Sequence, residues 1–93
     1  MRMAGTLRDN TEHHRYEMVV DGEIAFVVYG LAPGVITLAH AEVPEALRGN
    51  GVGSKLVRSV LDDVRRRGLK VVATCPFVRA YLGKHPEYND LVR

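Results

Sequence analysis

Between Arg15 and Tyr29, β-branched and aromatic residues crowd into two short runs, RYEMVV (15–20) and EIAFVVY (23–29), separated only by Asp21-Gly22. Runs of this length and composition read as strands, and Asp-Gly tolerates the positive φ angles of a two-residue hairpin turn. The two strands are expected to be antiparallel neighbours. Ala32-Pro33-Gly34 marks a second turn, and VITLAHAEV (35–43) a third strand that completes a meander. The period then changes. From Ser54 to about Arg67 the apolar residues are Leu56, Val57, Val60, Leu61 and Val64, whose spacing places them on one stripe of a helix. Asp62 and Asp63 stand four residues before Arg66 and Arg67, the favourable order for ion pairs along a helix. Arg65-Arg66-Arg67 reads as a solvated helix end, and Gly68 as the residue that stops it. LKVVATC (69–75) is a short apolar strand ended by Pro76, and a last helix over about 77–84 precedes the tail HPEYNDLVR. A strand, helix and strand in one sheet are normally parallel, with a right-handed connection. The predicted fold is α+β, an antiparallel β-meander followed by a β-α-β-α unit, with the helices packed on a mixed sheet.

A chain of 93 residues makes one domain, expected over 13–93 after a flexible N-terminus at 1–12. The apolar fraction is 46%, the charged fraction 26%, and no apolar run approaches the roughly 20 residues of a membrane span. A soluble domain with no membrane partner is expected. One cysteine excludes an intramolecular disulfide, and the opening MRMAGTLRDNTEHH lacks the apolar core of a secretory signal, so a cytoplasmic setting is expected. The net charge of +2 is compatible with an anionic ligand. It is not the concentrated basic stripe of a nucleic-acid binder, and no aromatic stacking run accompanies it. His13-His14, His40, His85 and Cys75 raise the question of a metal, but adjacent histidines in a strand point to opposite faces and no ligand spacing recurs. No metal site is expected.

The most informative stretch is Arg48-Gly49-Asn50-Gly51-Val52-Gly53-Ser54-Lys55, at the junction of the third strand with the long helix. Amides at a helix N-terminus lack intrahelical acceptors and carry partial positive charge, so a path cleared by glycines makes that end a phosphate site. Arg48, Ser54 and Lys55 can add a guanidinium, a hydroxyl and an ammonium to the same anion. A P-loop would need Lys immediately after the last glycine, where Ser54 stands. A dinucleotide fingerprint would need G-x-G-x-x-G, whereas Gly49, Gly51 and Gly53 run G-x-G-x-G. What fits is R-x-x-G-x-G, as Arg48, Gly51 and Gly53.

That segment resembles the acyl-CoA pyrophosphate loop of the GNAT N-acetyltransferase superfamily. Two further segments, His40-Ala41-Glu42-Val43-Pro44 and Cys75-Pro76-Phe77 through Tyr81 to His85-Pro86-Glu87-Tyr88, are similar to those of its short, GNAT-like family of predicted acetyltransferases. The resemblance runs from about Arg15 to Val92. It implies acetyl-CoA as cosubstrate and an amine acceptor, small molecule or protein. It also implies a pyrophosphate loop over Arg48, Gly49, Asn50, Gly51, Val52, Gly53, Ser54 and Lys55, and a pantetheine arm held by backbone groups at Val43 and near Cys75. Lys84 and His85 would meet the adenosine end. Only about 34 residues precede the third strand. That leaves no room for the two helices that follow the first strand in full-length members and commonly shape the acceptor site. A non-catalytic acyl-CoA-binding or sensor module is the alternative.

Strict alternation along 35–43 groups Ile36, Leu38, His40 and Glu42 on one face, and along 69–75 it groups Leu69, Val71, Ala73 and Cys75. Both strands would then carry reactive groups at their C-terminal ends, where α/β units bind ligands. Acetyl transfer needs a base for the amine, donors for the oxyanion and an acid for the leaving thiolate. His40 or Glu42 can be the base, and Tyr81 or Cys75 the acid; alternatively Cys75, activated by His40, takes the acetyl group first. Each also has a plainer reading: Cys75 as core, His40 as a hydrogen-bonded, partly buried histidine, Glu42 as a solvated strand end or ion-pair partner, Tyr81 packed with Phe77 four residues earlier.

Overall fold

A computed structural model describes residues 6–93. Its strands are β1 (Thr6–Asn10), β2 (Arg15–Val20), β3 (Glu23–Ala32), β4 (Val35–Glu42) and β5 (Lys70–Ala73), and its helices α1 (Val52–Arg66) and α2 (Pro76–Lys84). The sheet order follows the chain, β1 to β4 antiparallel and β5 parallel to β4. The α+β meander and its β-α-β-α continuation are as the periodicity predicts. Asp21 and Gly22 both have positive φ, 51° and 77°, as the tight hairpin turn requires.

The meander has one strand more than expected. Thr6–Asn10 lies in the segment read as a flexible N-terminus, yet it pairs with β2 along its length, Thr6 opposite Val19 and Asn10 opposite Arg15. TLRDN has a single apolar residue, Leu7, so no alternation announces it; its pairing comes from side chains on other strands. Tyr29 donates its hydroxyl to Asp9, and Arg8 donates to Glu17 at 2.8 Å. The expected boundary at residue 13 therefore falls inside the folded sheet.

α1 buries Leu56, Val57, Val60, Leu61 and Val64, the predicted stripe, and adds Val52 one turn earlier. They meet Tyr16, Met18, Val27, Ile36 and Leu38 of the sheet in one core, with Val78 and Tyr81 of α2. Gly68 stops α1 as expected: its N–H donates to the Arg65 carbonyl and that of Leu69 to the Val64 carbonyl, with Gly68 at φ 73°. That double bond pattern satisfies two carbonyls that a helix end leaves free.

The charged end of α1 is not simply solvated. Arg67 donates to the Tyr16 hydroxyl at 2.7 Å, Tyr16 donates to Asp63 at 2.6 Å, and Arg65 reaches the Glu87 carbonyl and the Asp90 carboxylate. Asp63 pairs most closely with Arg66, three residues on, while Asp62 accepts from Tyr88 at 2.7 Å. These bonds, with a longer one from Arg67 to Asp9 at 3.4 Å, tie the helix to β1, β2 and the C-terminal segment, whose Arg93 N–H donates to the Val71 carbonyl on β5. Burial and the Asp63 carboxylate push the Tyr16 phenol well above its ordinary pKa.

Candidate functional site

The C-terminal half of β4 departs from strict alternation. Tyr29 faces Leu38 but Val28 faces His40, so Ala39 has no partner and forms a one-residue bulge. Beyond it the parity reverses. Ala41 lies opposite the buried Val27 and packs on the core together with Val43, whereas His40 and Glu42 lie opposite Val28 and Phe26 on the other side of the sheet. The expectation that His40 and Glu42 share a face with Ile36 and Leu38 is therefore overturned. The bulge moves both ionisable groups off the core face, where they would be buried without compensation. His40 Nε2–H donates to Glu42 Oε1 at 3.0 Å, and both side chains are more than half exposed. The bond leaves Nδ1 of His40 with its lone pair free when the ring is neutral.

The bulge also parts β4 from β5. Their pairing ends at Leu38 opposite Ala73, and the Leu38 carbonyl accepts from both Thr74 and Cys75 N–H, at 3.1 and 3.2 Å. Past that point β4 runs on to Glu42 paired with β3 only, its other edge free. The strand over 69–75 is thereby cut to Lys70–Ala73, and Cys75 becomes the residue that caps α2. A cavity of about 670 Å³ opens beside the free stretch of β4. His40, Glu42, Val43, Arg48, the glycine loop and Phe77 border it.

The glycines act there in two ways. Gly51, at φ 75°, swings the chain through a left-handed turn into α1 and supplies no side-chain cap. The first backbone bond of the helix runs from Lys55 N–H to the Gly51 carbonyl, so the amides of Val52, Gly53 and Ser54 have no intrahelical acceptor. No acidic residue stands in the first turn to neutralise that end. Gly53 is helical and serves by its size: a Cβ there would lie 2.8 Å from the Phe77 ring and 3.4 Å from a Val43 methyl. Arg48 bends back, its Nε donating to the Val43 carbonyl at 3.1 Å, and so braces the loop against the end of β4.

A second cavity, of about 570 Å³, lies on the far side of the same turn, lined by Gly51, Ser54, Lys55, Arg58, Tyr81 and His85. Gly51 and Ser54 border both cavities. Tyr81 and His85 stack at 3.9 Å between ring centroids, and burial raises the Tyr81 pKa. Of the residues singled out from sequence, Asn50 and Lys84 are exposed and border neither cavity, and Cys75 is only 4% exposed and borders neither. Sequence reasoning missed Arg58 and Phe77. Arg58 had a signal, since it stands four residues after Ser54 on one helical face. Phe77 was read as packing on Tyr81, but it is 45% exposed and turned to the cavity.

Over residues 15–91 the chain matches the family described as GCN5-related N-acetyl-transferase. It is 36% identical to protein NATD1 of chicken and of mouse over 52 residues, which is 56% of this chain and 47% of theirs. The human NATD1 protein matches at the same identity over 46% of its length. The matched segment thus spans about half the length of these relatives. In three dimensions the chain is similar to a GCN5-like protein of Staphylococcus aureus solved by NMR, with a TM-score of 0.73 and 26% identity, over 95% of this chain and 87% of that one.

Proposed function

Because the chain belongs to the family of GCN5-related N-acetyltransferases, we propose that it is an acetyl-CoA-dependent transferase that moves an acetyl group to an amine. One observation carries the reading: the free stretch of β4, the His40–Glu42 pair and the uncapped start of α1 border one cavity. The loop fits a diphosphate. Its free amides supply donors, the first turn holds no competing carboxylate, and Lys55 and Arg58 add positive charge where the second cavity begins. The unpaired edge of β4 from Ala39 to Glu42 offers backbone groups to the amide-bearing pantetheine arm, with Val43 at its end. His85, on the stack with Tyr81, is placed for the adenosine end.

Acetyl-CoA brings the acetyl thioester. The protein's part is to hold it and to move protons: His40, oriented by Glu42, takes the proton of the amine, and Tyr81 or Cys75 stands as acid toward the thiolate. Cys75 stands at the N-terminus of α2, and in a second route it carries the acetyl group as nucleophile.

Thermal unfolding with acetyl-CoA, ATP and NAD tests the cosubstrate. At a hundred times its dissociation constant acetyl-CoA should stabilise by about 2.7 kcal/mol, and an equal effect of ATP sinks the assignment. Thiol release over a panel of amines then tests transfer. His40→Ala and Glu42→Gln are expected to keep the thermal shift and to lower turnover about a hundredfold or more. A shift with no transfer to any amine marks an acyl-CoA sensor instead. Mass spectrometry of protein trapped with acetyl-CoA separates the two routes, since only the second adds an acetyl group to Cys75.

A further inference from the structure

The face of the sheet opposite α1 carries an ordered polar array. Cross-strand pairing places Asn10, Arg15, Val28 and His40 in one row and Arg8, Glu17, Phe26 and Glu42 in the next. Glu17 is 3% exposed although it lies on the face away from the core, because Arg8, Asn10 and Arg15 close over it with bonds of 2.8, 2.9 and 2.6 Å. Arg15 gives Glu17 its Nε–H and lays its guanidinium over the Phe26 ring, 4.4 Å from the centroid. Among the described residues nothing accepts from its terminal nitrogens. Across the same ring, at 6.3 Å, stands His40 with Glu42 bonded to it.

The charges along these rows are polarised. Arg8 and Arg15 outnumber Glu17 by one at the β2 end, and Glu42 supplies a carboxylate at the β4 end. A zwitterion with its ammonium at Glu42 and its anion at Arg15 matches that field, and a guanidinium held by Nε and stacked on a ring presents a fixed fork that suits a carboxylate.

Building on the acetyl-transfer reading, we propose that this face is the acceptor platform and that Arg15 anchors a carboxylate of the acceptor, which is an amino acid rather than a simple amine or a polyamine. The ammonium gives one proton to His40, and the free amine forms the C–N bond to the acetyl carbon as the C–S bond breaks. The electron pair leaves on sulfur, which takes the second amine proton. The products are the N-acetyl amino acid, CoA thiol and one proton. Arg15 is a specificity residue in this scheme, and Glu17 and Phe26 position it.

The test compares glycine, β-alanine and γ-aminobutyrate with their amides as acceptors. The acids should be favoured by about tenfold or more in kcat/KM, because the amides leave the Arg15 fork unpaired. Arg15→Lys keeps a cation beside Glu17, and so the fold, but loses the fork; it should remove the preference through the acceptor KM and leave the KM for acetyl-CoA unchanged. Amides used as well as acids, or a loss equal for both, overturn the proposal. A titration followed by NMR needs no turnover. N-acetylglycine should shift the Arg15 Nε–H resonance while N-acetylglycinamide does not, and no difference between them overturns the proposal. A selective shift in a protein that ignores acetyl-CoA would leave the carboxylate site standing and refute only the transfer.

Discussion

Gly51 and Gly53 stand two residues apart in one loop and answer to different constraints. Gly51 is needed for its φ of 75° and has open space where a Cβ would go. Gly51→Ala is therefore expected to cost stability, about 1 kcal/mol or more, measurable by urea unfolding. Gly53 has ordinary helical geometry, and its missing Cβ makes room for Phe77. Because the exposed Phe77 ring can swing away, Gly53→Ala should leave stability within about 1 kcal/mol, the helix preference of alanine offsetting the shift. The displaced ring narrows the cavity, so acetyl-CoA affinity should fall about tenfold, read by calorimetry. Reversed effects of the two substitutions would refute these assignments. Their shared spacing was visible in sequence; that one glycine serves the backbone and the other a neighbouring ring depends on where α2 brings Phe77.

The bulge in β4 reverses the parity of His40 and Glu42, and it hangs on one residue, Ala39. Deleting Ala39 would remove the bulge and leave regular pairing, with His40 still opposite Val28 and Glu42 still opposite Phe26, so both groups would keep their outer face. The fold should survive, but a regular β4 would be free to pair on with β5 beyond Leu38, so the thermal shift with acetyl-CoA is expected to be lost. Ala39→Gly keeps the residue count and should be tolerated within about 1 kcal/mol. Chemical denaturation and the acetyl-CoA thermal shift of both variants check this; a deletion variant that fails to fold, or that keeps the full shift, would overturn it. The helix shows the opposite case. Its stripe and its stop at Gly68 follow from spacing within α1 itself, and only its start differs, two residues earlier at Val52.

The sheet as an assembled object holds Glu17 in an environment that no single strand provides. The Asn10 amide first, and Arg15 with it, depress its pKa from 4.5 to about 2. A carboxyl whose folded pKa is depressed stabilises the fold above its unfolded pKa, and that contribution is lost as pH falls toward the folded value. Stability owed to Glu17 should thus be complete above about pH 4.5 and disappear as pH approaches about 2. Glu17→Gln should lower the melting temperature at pH 7 and flatten the acid limb in that window. An unchanged acid limb would show that the network holds no such charge. The same network recruits β1, so removing residues 6–10 should also expose Glu17 and the Tyr16 cluster.

The sequence alone determined what short-range patterns encode: two strands around Asp21-Gly22, the apolar stripe of α1, its glycine stop, and a glycine-bearing helix start. The tertiary structure decided what depends on a partner strand or helix. Leu7 alone could not announce β1, because that strand is held by Glu17, Tyr29 and Arg67 from elsewhere in the chain. Alternation placed His40 and Glu42 on the wrong face because a bulge is a property of pairing, set by the partner strand as much as by the residue that carries it. Cys75 left the strand because the Leu38 carbonyl is shared by Thr74 and Cys75, a bond pattern with no local signature. The chemistry of each residue is carried by its side chain, but which of them meet is fixed by register, and register is settled only when the sheet and its helices pack together.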